Sequence, residues 1–187
     1  MPRRRRWGRT PCQNHFEMDD WGNWRLNSYR AKATFMMMKK FKDDAAIHFA
    51  KLGKEFADAA NTLYKVSQDQ HVHPSWPIQF VTCQALELYL KAFLRANGVS
   101  LDDLKDGRKF GHDLQRALRE AKQKGLDKVV AITDDEEHII KILNAHYKNR
   151  DFQYKGSGEF TLTPVGFLIP LLDRMDRPLL SICAHAS

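Results

Sequence analysis

The chain has 187 residues, 43% of them hydrophobic, with a net charge of +7, a size that suits one domain with a sizeable core. No apolar run approaches the roughly 20 residues of a bilayer-spanning helix, and the basic start MPRRRRWGRT lacks the apolar stretch of a secretory signal. Three widely spaced cysteines, Cys12, Cys83 and Cys183, point to reduced thiols in a cytoplasmic protein rather than to a disulfide framework.

Residues 1–40 hold ten of the 30 basic and three of the 23 acidic side chains, leaving twenty of each beyond residue 40. The excess charge therefore belongs to an N-terminal arm, not to a binding face on the domain. The arm, 1–40, carries Trp7, Trp21 and Trp24 without a sustained period. It reads as a disordered leader or an upstream extension from a misplaced start, with Met18, Met36, Met37 and Met38 as alternative starts. An arginine-rich arm that grips phosphate backbone is the other reading.

From residue 41 to 187 the pattern is helical. Ala45, Phe49, Leu52, Phe56, Ala59, Leu63 and Val66 fall alternately four and three residues apart. That spacing predicts one helix with its apolar seam against a neighbour. QDQHVHPSWP ends it. A second helix runs from about Pro77 to Gly98, apolar almost all round, with Gln84, Glu87, Lys91 and Arg95 as a narrow polar edge. So little polar surface predicts the central, most buried helix. Ser100 caps a short turn. A third helix follows Gly111 and ends at Gly125, and a fourth opens after Thr133 with four acidic residues suited to a helix N-terminus. The last is expected to open at Thr163-Pro164 with its seam at Leu168, Leu172, Met175, Leu179 and Ile182, and to kink or break at Pro178. Only GEFTLT resembles a strand. The whole is an all-α, antiparallel four- to five-helix bundle.

Two polar groups stand out. Glu87 and Lys91, one turn apart on the buried helix, are placed to bond with His112 or Asp113 and pin the second helix to the third. His146 and Arg150 close the fourth helix. Continued as a helix, Arg150 would project about 20° from Leu143, on the core-facing stripe. There it either caps terminal carbonyls or holds a phosphate while His146 moves a proton. His71 and His73 have metal-like spacing, as Cys12 and His15 do loosely, but no further ligands join them, so no metal or cofactor is expected.

ALELYLKAFLRANG followed by KFGHDL, with the later HYKNRDFQYKGSG, resembles the HEPN superfamily over roughly residues 41–184. Glu87 and Lys91 match its Glu-x-x-x-Lys pattern, and Gly111, His112, Asp113 and Leu114 match the element that opens its next long helix. The resemblance implies a bundle paired as a homodimer. Members act as ribonucleases, as toxins beside nucleotidyltransferase antitoxins, or as non-catalytic binding domains. The ribonucleases carry an Arg followed after four to six residues by a His. Here Arg150 has no such His, Arg108 and His112 are separated by only three residues, and His146–Arg150 runs in reverse. The expected function is a dimeric accessory module for a protein or RNA partner, not an enzyme. The alternative is a metal-independent ribonuclease toxin using His146 and Arg150.

Overall fold

A computed structural model describes residues 16–18, 24–26, 45–71, 75–152 and 163–186. The chain divides into two units, Met1–Lys42 and Asp43–Ser187. In the first, β1 (Phe16–Met18) pairs antiparallel with β2 (Trp24–Leu26), Glu17 opposite Arg25. The rest of the arm, including Cys12, His15 and Met36 to Met38, lies outside the described residues, as do His73, the glycines at 156 and 158, and most of GEFTLT.

The described part of the second unit is all helical. Its helices are α1 (Ala46–Asp69), α2 (Trp76–Ala96), α3 (Leu101–Lys105), α4 (Leu114–Gln123), α5 (Asp134–Lys148) and α6 (Ile169–His185). Single 3-10 turns sit at Leu126–Lys128 and Val165–Phe167. The caps follow local chemistry. Ser100 Oγ accepts from Asp103 N at 3.0 Å. Thr133 and Glu136 form a reciprocal capping box at the start of α5, which satisfies two amides that have no partner inside the helix. The last helix departs from expectation. Thr163-Pro164 opens the 3-10 turn rather than α6, and α6 runs unbroken through Pro178. Proline removes one helical hydrogen bond there, but buried Leu171, Leu172, Met175 and Leu179 hold both sides of it in the core.

α2 is the central rod. Its residues Ile78, Cys83, Leu86, Tyr89, Leu90, Phe93 and Leu94 are buried, and it touches every other helix of the unit. α1 runs antiparallel to both α2 and α6. Ala46 and Ala50 cluster with Ala92 and Cys183, while further along Gly53 meets the Tyr89 ring and Lys54 lies 3.4 Å from Asp176. Tyr89, itself buried, donates to Asp176 Oδ1 at 3.3 Å and ties α2 to α6.

The expected seam of α1 is displaced. The residues buried against the bundle are Ala46, Ala50, Gly53, Ala57, Ala60 and Ser67. Leu52, Leu63 and Val66 are instead 43%, 39% and 45% exposed, and Phe49 and Phe56 pack only at the core's edge. The physical reason is close approach. A stripe of small residues lets the α1 backbone come down onto the aromatic ring of Tyr89, and bulky residues on that line would hold it off.

Gly53 sets that distance, since a Cβ there would stand 3.0 Å from Tyr89 Cδ1. Gly53→Ala is expected to destabilise the fold by about 1–3 kcal/mol through overpacking, despite alanine's better helix propensity. Urea unfolding followed by circular dichroism checks this, and an unchanged or raised stability contradicts the close-packing account.

Candidate functional site

The polar edge of α2 carries the densest chemistry of the unit. Glu87 is 4% exposed, and a carboxylate so placed needs several partners to offset lost hydration. One oxygen takes Lys91 Nζ at 2.6 Å, one turn along the same helix. The other accepts from the Tyr147 hydroxyl at 2.6 Å and from His112 Nδ1 at 2.9 Å. Tyr147 also lies 2.6 Å from Gln84 Oε1; one phenol proton serves one acceptor at a time, and the charged carboxylate is the stronger. Two helices and the loop before α4 thus converge on one side chain.

His112 is delivered by the loop between α3 and α4. Gly111 has φ +47°, and a Cβ there would stand 3.0 Å from Gly107 Cα. A side chain at 111 would therefore clash as well as strain the turn. The Arg116 guanidinium bonds the carbonyls of Arg108 and Lys109, closing the same loop. Because ionised Glu87 can only accept, His112 carries its proton on Nδ1, an assignment made from the network. Among the described residues its Nε2 has no hydrogen-bond partner. The ring stands edge-on to Tyr147, centroids 5.8 Å apart.

Asp113 belongs to an adjoining group. It caps α4 by accepting from Arg116 N at 3.1 Å and reaches α5 through Lys148 at 3.0 Å and Asn144 at 3.2 Å. Buried Asn144 also accepts from Leu114 N at 2.8 Å. Partial burial acts to raise the Asp113 pKa, but hydrogen bonds from Lys148 and the Arg116 amide outweigh it and hold the carboxyl below its ordinary range. Glu136 behaves likewise, with Arg174 at 2.6 Å overcoming burial.

The pair at the end of α5 does not stand as expected. α5 stops at Lys148, and Arg150 has φ +61°. Arg150 N donates to Tyr147 O and Asp151 N to His146 O, both at 3.0 Å. That is a Schellman closure with arginine in the left-handed position that favours glycine. Arg150 therefore leaves the core stripe and is exposed. Its side chain lines a small cleft with Phe80, Gln84, His112, Tyr147 and Phe152. His146 is not in that lining; its Nδ1 lies 3.2 Å from Asp151 Oδ2. The structure brings Arg150 to His112, not to His146.

The two buried thiols and the Tyr147 phenol are chemically quiet. Burial, then the nearby Glu87 charge, pushes the Cys83 thiol and the Tyr147 phenol well above their usual ranges. Burial raises Cys183 to about 11. Neither thiol is a ready nucleophile at neutral pH, and both are free cysteines. His71 sits at the end of α1 with φ +53°, and among the described residues no three potential metal ligands cluster. Nor is any described helix long and apolar enough to cross a membrane.

Of the residues that build these networks, the sequence places Gln84 on the polar edge of α2 but does not single out Tyr147 or Asn144. Asn144 had a signal, since a polar amide between Ile140, Leu143 and Tyr147 must find partners once buried. No protein-family model matches the chain, and no curated protein or solved structure matches it.

Glu87→Ala is expected to cost about 3–5 kcal/mol, because it leaves Lys91, only 11% exposed at its side chain, as a buried charge without its partner. Glu87→Met with Lys91→Met should recover most of that loss in the same denaturation assay. Equal losses in the single and double variants would show that the pair is not the clamp. Arg150→Gly should be neutral or stabilise by up to about 1 kcal/mol, since glycine occupies the left-handed position without strain. A clear loss of stability would mean that the arginine side chain itself holds the turn.

Proposed function

We propose that the second unit is a HEPN-like accessory module that works as a homodimer and binds a protein or RNA partner without catalysing a reaction. The observation that carries this reading is the state of Glu87. Both its oxygens are engaged by Lys91, His112 and Tyr147, and the cleft beside it has a volume of about 10 Å³. That is room for about one water molecule, not for a substrate. A centre so filled ties α2 and α5 to the loop before α4 and leaves recognition to the surface. The Glu-x-x-x-Lys pair on a buried helix and the Gly-His-Asp-Leu turn that delivers His112 support the family likeness. The buried free thiols suit a reducing cytoplasm.

A second reading, a metal-independent ribonuclease toxin paired with a nucleotidyltransferase-type antitoxin, draws support from one observation. Arg150 and His112 face one cleft, and Glu87 orients His112 so that Nε2 is left open. An imidazole held by a carboxylate can take a proton, and a nearby guanidinium can hold a phosphoryl oxygen.

Full-length protein incubated with a mixed pool of structured and single-stranded RNA in EDTA is expected to leave every species intact on a denaturing gel. Cleavage abolished by His112→Ala and by Arg150→Ala would replace the accessory reading with the nuclease one. Cleavage abolished by His146→Ala but not by His112→Ala would return the chemistry to the pair on α5.

A further inference from the structure

We draw no further inference here: the strongest candidate, the cleft between α1 and α6 lined by Lys54, Asp58, Tyr89 and Asp176, pairs these groups with one another, and nothing in the structure shows what would occupy it.

Discussion

One buried carboxylate governs the arrangement of the helical unit. Glu87 sits on the most apolar helix, where an unpaired charge would cost several kcal/mol. Its partners come from three places: Lys91 on the same helix, His112 from the loop before α4, and Tyr147 from the last turn of α5. Each partner must arrive at hydrogen-bond distance, so the register of α4 and α5 against α2 follows from one side chain. Gly111 and Arg116 shape the loop to meet it. Asn144 and the Asp113–Lys148 pair then stitch α4 to α5 directly. Apolar packing alone tolerates small slips of helix register; a saturated carboxylate does not.

Much of this was legible in the residues. Caps and stops located the helices, because they are local chemistry: Ser100, Thr133 with Glu136, Gly98 and Gly125 act within a turn of where they stand. The burial of α2 was legible because nearly its whole circumference is apolar. The Glu87–Lys91 pair was visible as a spacing, and His112 as a polar residue close to a helix start. What the residues did not carry was direction in space. Arg150 was placed on the core stripe by extending α5 past its end, and nothing at that position marked the stop. Arginine at the left-handed position of a Schellman turn breaks the glycine signature by which such a turn is read. The same error set His146 beside Arg150, whereas its ring meets Asp151.

The seam of α1 is a different kind of miss, and a more informative one. Apolar periodicity reports that a face is kept from water, not what keeps it so. On α1 two faces carry apolar residues. The one against the bundle is made of alanine, glycine and serine and has little hydrophobic weight, so the bulky face beside it dominates the pattern. Tertiary structure chose the lighter face because only it fits against Tyr89 at such short range. Close contact over a long stripe gives many small dispersion gains, which large residues at the same positions would forfeit by holding the helices apart.

That choice leaves Leu52, Leu63 and Val66 exposed on α1. Single exposed apolar residues need no explanation; these three on one line form an apolar strip that the bundle does not cover. The Glu87 centre has no comparable opening: its acceptors are filled and its cleft holds about one water. The Glu87 group is thus turned inward, where it fixes the helices, while Leu52, Leu63 and Val66 are turned outward. Chemistry at Arg150 and His112 would require a ligand to rest on the rim of the cleft.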